Sequence, residues 1–205
     1  MSASKILLAV LGVFVVIGLG VVFWAVGGYN RLVALQQGTD KQWAQVQNVY
    51  QRRADLIPNL VSTVTGAATF EKSTLTAVTE ARASVGRVQL PSNAAPSDQN
   101  QLAAFDRAQG QLGAALSRLL VVSERYPQLT ATAGFRDLQA QLEGTENRIS
   151  VERGRFNEAV QAYDTAVRSF PGVLIAGMFG FAPRPYFTAA PGAENAPKVD
   201  FGGKF

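Results

Sequence analysis

Arginines and carboxylates are the side chains of this sequence that could do chemistry, because its 205 residues include neither histidine nor cysteine. Imidazole is the usual general base and transition-metal ligand, and its absence rules out nucleophilic triads and the Glu-x-x-His sites of di-iron bundles. Without a thiol there is no disulfide, thiolate metal site or cysteine nucleophile. No loop has the dense acidic spacing of a calcium site. We therefore expect no enzymatic activity and neither a cofactor nor a bound metal.

The charged residues can instead fix how helices pack. Arg53 falls on an apolar helical seam, and several polar residues lie close together on the last predicted helix. A buried charge is costly unless it is paired and hydrogen-bonded, so we predict that these groups meet as one polar layer that sets helix register around Pro58. A binding site is the less favoured interpretation of the same cluster. The predicted polar layer comprises Arg53, Asp55, Asn59, Glu146, Asn147, Arg153 and Asn157.

Long helices must position these residues, since apolar residues recur at spacings of three and four along most of the chain. We predict one helical seam from Trp43 to Val64, which Pro58 should locally break or kink, and other helices over 71–88, from about 102 to 126, and over 130–170. No segment alternates with the period of a strand. The fold class expected is all-α: an N-terminal transmembrane helix followed by an elongated antiparallel bundle of three to four long helices.

The run 6–26 contains 21 residues and no charge. At 1.5 Å per residue it extends roughly 31 Å, about the thickness of a bilayer's hydrocarbon core. A cleaved signal peptide is the alternative, but its apolar region is normally shorter, so we expect a retained anchor. Positive charge is nearly balanced across the span and favours a periplasmic bundle only slightly over a cytoplasmic one.

The net charge of +4 does not indicate a nucleic-acid partner. Between residues 29 and 170 there are 15 Lys and Arg and 13 Asp and Glu, so this part of the chain carries only +2. Both signs are interspersed, as on solvated helix faces, whereas phosphate binding needs clustered positive charge. We expect no nucleic-acid binding.

The segment 173–182 has ten uncharged residues, which is too short to span a bilayer. We favour a cap on the bundle or a contact with another subunit, and the alternative is an interfacial contact with lipid. Its predicted contact residues are Val173, Leu174, Ile175, Met178, Phe179 and Phe181. The resulting divisions are a membrane anchor at 1–28, a helical bundle at 29–172, an apolar cap at 173–187 and a flexible tail at 188–205.

Three stretches are more specific than helical periodicity. They are Asp-Leu-Ile-Pro-Asn-Leu-Val at 55–61, Glu-Asn-Arg-Ile at 146–149, and Phe-Pro at 170–171 leading into the apolar run 176–181. In this order, behind an N-terminal anchor, they resemble the bacterial LemA family from residue 29 to about 187. Relatives usually have a Lys-Gly-Tyr…His-Glu stretch where this chain has residues 65–71, so any role of that histidine cannot apply here.

The resemblance implies a single-pass protein of the bacterial inner membrane with no established enzymatic activity. Family genes often neighbour those of membrane metalloproteases, which suggests envelope proteins such as membrane proteases as partners. The sustained seams also suit packing between identical chains, as in coiled coils, so we expect a homo-oligomer. The function expected is a non-enzymatic, membrane-anchored scaffold or interaction protein. The alternative is a membrane-contact or remodelling protein that uses the segment around Phe179 and Phe181.

Overall fold

The computed structural model describes residues 3–66, 71–88 and 94–188, and these residues form helices and no strand. The predicted tail beyond residue 188 lies outside the described residues. The all-α prediction is confirmed, with a long apolar N-terminal helix followed by further helices. The helices are α1 (Ala3–Thr65), α2 (Lys72–Gly86), α3 (Gln99–Ser123), α4 (Pro127–Thr130), α5 (Ala133–Arg168) and α6 (Gly172–Phe179).

Helix α1 joins the apolar N-terminal run to the bundle without a break. Its 63 residues extend about 95 Å. No residue of the most apolar stretch of α1 is buried inside the protein, and α1 is the helix among the described residues that is long and apolar enough to cross a membrane. The helix continues without a break through the boundary expected at residue 28.

Pro58 lies inside α1 and does not end it, so of the expected break or kink the break is wrong. Proline has no amide hydrogen and leaves the carbonyl oxygen four residues earlier without its helical donor. That oxygen belongs to Ala54, and Nε of Arg82 on α2 donates to it at 3.2 Å. A side chain from the next helix thus replaces the missing hydrogen bond.

The four long helices alternate in direction and pack as an antiparallel bundle. Helix α5 runs against α1, since Arg53 meets Glu146 near the middle while Leu32 packs with Val167 near the membrane end. The core away from the membrane is mostly aliphatic and includes Leu60, Val64 and the ring of Phe135. The core nearer the membrane is aromatic and is centred on Trp43, Tyr50, Phe105, Phe156 and Phe187.

Helix boundaries after α3 differ slightly from the prediction. A separate turn, α4, begins at Pro127, and α5 begins at Ala133 instead of residue 130. The hydroxyl of Thr132 accepts a hydrogen bond from the amide of Phe135 and so caps the start of α5. Helix α5 ends at Arg168, two residues before the predicted limit.

Candidate functional site

Arg53 is the buried charge at the centre of the bundle, with 3% of its surface exposed. Its guanidinium donates to Glu146 Oε2 on α5 at 2.9 Å and to the backbone oxygen of Gln109 on α3 at 3.1 Å. It also bonds the Gln109 side chain and lies over the ring of Tyr50. One side chain of α1 therefore connects α3 and α5.

Arg153 makes a second charged link, between α5 and α3. Its Nη1 is 2.8 Å from Asp106 Oδ1, and both side chains are partly exposed. The guanidinium also lies 4.4 Å from the ring centre of Phe187. We call Arg53, Arg153, Asp106, Gln109 and Glu146 the arginine cluster.

The structure brings together only part of the predicted polar layer. Arg53 meets Glu146, whereas Asp55 and Asn59 are exposed on the outer face of α1, and Asp55 accepts instead from Gln51 of the same helix. The reason is helical spacing: positions two and six after Arg53 are rotated about 200° and 240° away from it. Asn147 is likewise exposed.

Asp106 and Gln109 were missed by sequence reasoning, although Gln109 carried a signal. It stands between Phe105 and Leu112 at spacings of four and three, and so occupies an apolar position of the α3 seam. A polar residue at such a position indicates a buried partner. Asp106 lies beside the seam, where the sequence gives no comparable indication.

The arginine cluster lines a cleft of about 410 Å³ between α3 and α5. Its two arginines each contact a carboxylate, and Tyr50 forms part of the wall. Burial raises the pKa of the Tyr50 hydroxyl, and the neighbouring Arg153 and Arg53 offset this only in part. The hydroxyl therefore stays protonated at neutral pH. This arrangement suits helix positioning better than proton transfer.

Residues 181–188 form an extended strap across the bundle. Both side-chain atoms of Asn157 bond the backbone of Phe187, with Nδ2 donating to its oxygen at 2.9 Å and Oδ1 accepting from its amide at 3.0 Å. Asp164 accepts from the amide of Arg184 at 2.9 Å, and the Arg184 side chain bonds the oxygen of Ala95. Asn157 was predicted to join the polar layer around Arg53, but it bonds to the strap instead.

The predicted contact segment becomes α6, which packs against α1 where the apolar run ends. Ile175 is buried, and Gly28 of α1 lies so close to it that a Cβ at residue 28 would collide with the Ile175 side chain. Tyr29 makes edge contacts with the rings of Phe179 and Phe181, at 4.9 and 5.6 Å between centres. The other face of this segment is exposed. We define the apolar collar as the exposed side chains of α6 together with Phe170 just before it: Phe170, Val173, Leu174, Met178 and Phe179.

A long apolar helix that continues into an antiparallel bundle, with an apolar collar at the junction, defines a class of membrane-associated helical proteins. A family model described as the LemA family matches residues 42–201, most of the chain. The chain therefore belongs to the LemA family, as its motifs indicate.

Relatives of the chain include magnetosome proteins. Magnetosome protein MamQ 2 and MamQ 1 of Paramagnetospirillum magneticum are each 25% identical to it over 182 residues, covering 82% of this chain and 67% of the relative. Magnetosome protein MamQ of Magnetospirillum gryphiswaldense matches with the same identity and coverage.

Proposed function

We propose that this protein is a non-enzymatic, membrane-anchored scaffold of the bacterial envelope that holds its bundle at a fixed height above the inner membrane. The observation that supports this most is the continuity of α1, which passes from the apolar run into the bundle core as one helix. A flexible linker would let the bundle tumble, whereas a continuous helix transmits the orientation of the anchor. The side of the membrane that carries the bundle is part of the proposal, with a slight preference for the periplasm.

The proposed partners are further copies of the chain and other envelope proteins, such as membrane proteases. The apolar seams are buried within one chain and so do not themselves offer a surface to a second copy. Beyond α1 and the apolar collar, the large apolar side chains exposed among the described residues are Val121 and Val151. We therefore propose that self-association uses the membrane segment or the apolar collar.

Light scattering coupled to size exclusion tests self-association on the full chain in detergent. More than one copy per micelle is the expected result. A single copy at all protein concentrations would contradict self-assembly and leave a scaffold that binds other proteins.

A membrane-contact or remodelling role is the second candidate, and the apolar collar favours it. Met178 is 78% exposed and Phe170 is 80% exposed, at the level where α1 leaves its apolar run. Because the chain has no cysteine, Met178→Cys gives one site for a nitroxide label, and Val121→Cys is an exposed apolar control at the far end. In liposomes, collision of the label with oxygen, which concentrates in lipid, is compared with its collision with a water-soluble nickel reagent. Oxygen should be the more accessible reagent at position 178, and the nickel reagent should be the more accessible one at position 121. Equal access of the nickel reagent to both sites would contradict lipid contact.

A further inference from the structure

A groove of about 490 Å³ runs beside the anchor, between α1, the last turns of α5 and the start of α6. We call it the anchor groove. On α1 its lining residues recur at helical spacing, so they share one face, and those of α5 form the opposite wall. The residues that carry the argument are Phe23, Trp24, Gly27, Arg31 and Phe170.

The groove crosses the level of the lipid headgroups. Phe23 and Trp24 belong to the apolar run that ends at Val26, and Arg31 lies five residues farther along the same helix. Five residues of helix rise about 7.5 Å, and the headgroup layer on one side of a bilayer is about 5–7 Å thick. An anchor seated in the bilayer therefore places Arg31 at the height of the phosphates and Phe23 among the acyl chains.

The chemistry of the walls changes at the same point. Toward the anchor, rings of Phe23, Trp24 and Phe170 are exposed, and a Cβ added to Gly27 would meet no atom within 4 Å, so the floor there is open. Toward the bundle, Arg31 is the one charged residue of the lining. It is exposed and forms no ion pair with any residue that the structure describes. A guanidinium at headgroup height is suited to bind a phosphate through two hydrogen bonds.

We propose that the anchor groove binds one phospholipid of the bilayer, with preference for an anionic headgroup. The phosphate lies on Arg31, and an acyl chain follows Phe23, Trp24 and the open floor at Gly27. The proposal rests on the membrane anchoring of α1 and adds the ligand. A lipid held between α1 and α5 would help to seat the bundle on the membrane surface.

Trp24 reports on this site directly. The chain has two tryptophans, and the second, Trp43, is 1% exposed in the bundle core and lies 17 residues beyond Val26, about 25 Å. The full chain would be reconstituted in liposomes of equal parts phosphatidylcholine and phosphatidylglycerol. Two samples would be compared, one with bromine on the acyl chains of phosphatidylglycerol and one with bromine on those of phosphatidylcholine. The measured quantity is the quenching of Trp24 fluorescence in each. A preference of about fivefold for phosphatidylglycerol is expected from one arginine near the surface.

Two variants and two matched controls assign the preference to the groove. Arg31→Gln should reduce the ratio to about one, and Gly27→Phe should do so by filling the floor. Arg52→Gln removes an equally exposed charge 21 residues farther along α1, and Gly38→Phe adds the same ring above the bilayer where a Cβ also has free space. Both controls should keep the preference, and unchanged Trp43 emission shows that each variant is folded.

Equal quenching by the two brominated lipids in the unmodified chain would overturn the proposal, as would a preference that persists in Arg31→Gln. If neither lipid quenches Trp24, the anchor is not in the bilayer, and the proposed scaffold function fails at its first step. The two failures are therefore distinguishable.

Discussion

The two halves of the bundle are held together in different ways. Away from the membrane, the core is mostly aliphatic, and Phe135 is its one fully buried ring among the described residues. Nearer the membrane, rings of Trp43, Phe105 and Phe156 pack with Phe187, which belongs to the non-helical strap. The arginine cluster lies between the two. The half nearer the membrane therefore depends on a segment that returns from the far end of the sequence.

The strap therefore links the elements of the membrane-proximal half to one another. Arg184 connects the strap to the loop before α3 through the oxygen of Ala95, and Asp40 of α1 accepts from the amide of Ala95 at 2.8 Å. The loop, the strap and α1 thus share one set of hydrogen bonds. The distal helices are joined by exposed polar contacts, from Arg82 to the oxygen of Ala54 and from Arg125 to Glu71.

The largest expected effect separates the two cores. Phe156 is fully buried against Trp43 and Phe187, so Phe156→Ala should lower the free energy of unfolding by about 3–5 kcal/mol and also release the strap. Leu60→Ala in the aliphatic core should cost about 2–5 kcal/mol and leave the strap in place. Denaturant unfolding measures the loss, and hydrogen exchange at residues 184–188 measures the strap. Equal protection of the strap in both variants would show that it is not held by the aromatic core.

The second prediction concerns the arginine cluster between the halves. Arg53→Met removes the donor to the buried side-chain oxygen of Gln109, and we expect a loss of about 1–3 kcal/mol. Glu146→Gln should cost less than about 1 kcal/mol, because the Glu146 side chain is 63% exposed and water can replace the pair. Thermal melts of the full chain in detergent check both. If Arg53→Met changed neither stability nor oligomeric state, the proposed register role would be wrong.

A matched glycine pair sharpens the comparison at the membrane end. Gly28→Leu forces a side chain into Ile175 and should destabilise the contact between α1 and α6 by about 1–3 kcal/mol. Gly27→Leu meets free space and should be neutral or slightly stabilising, since it removes a glycine from a helix. Hydrogen exchange of α6 follows the contact. Equal effects of the two substitutions would contradict the close packing of α6 on Gly28.

The smallest effect is a pH dependence of the membrane-proximal half. Burial raises the pKa of Tyr50, Tyr163 and Tyr186 in the folded chain above the usual value of 10.0. Above about pH 10 the unfolded chain therefore loses these protons before the folded chain does, so the free energy of unfolding should fall as pH rises. Well below pH 10 the three tyrosines are protonated in both states and cause no pH dependence. Tyr50→Phe should reduce the slope. Melting temperatures that are the same at pH 8 and 10.5 would contradict this.

The helices were predictable because their seams carry the packing information. Trp43, Val46, Ile57, Leu60 and Val64 are all buried as their spacing indicates. The hydrogen bond that replaces the one lost at Pro58 was not predictable, because only the packed bundle brings Arg82 near Ala54.

The site was predictable only where polar residues interrupt a seam. Arg53 stands on one, but its partner Gln109 and the link from Arg153 to Asp106 are set by the packing of α3 beside α5. The position of the strap could not be predicted from helical periodicity, because Phe187 does not lie in a repeating apolar pattern. Its position follows from two bonds to Asn157, which sequence spacing does not encode.

The height of the distal tip above the membrane tests the central claim most directly. Gln128 is exposed on α4 at the far end of the bundle, and in this cysteine-free chain Gln128→Cys accepts a single dye. Energy transfer to dyes on the liposome surface should report a height of roughly 50–60 Å, the rise of α1 from Val26 to Thr65 less a moderate tilt. A tip less than half as high, or one whose height varies widely between molecules, would contradict an upright bundle carried by one continuous helix.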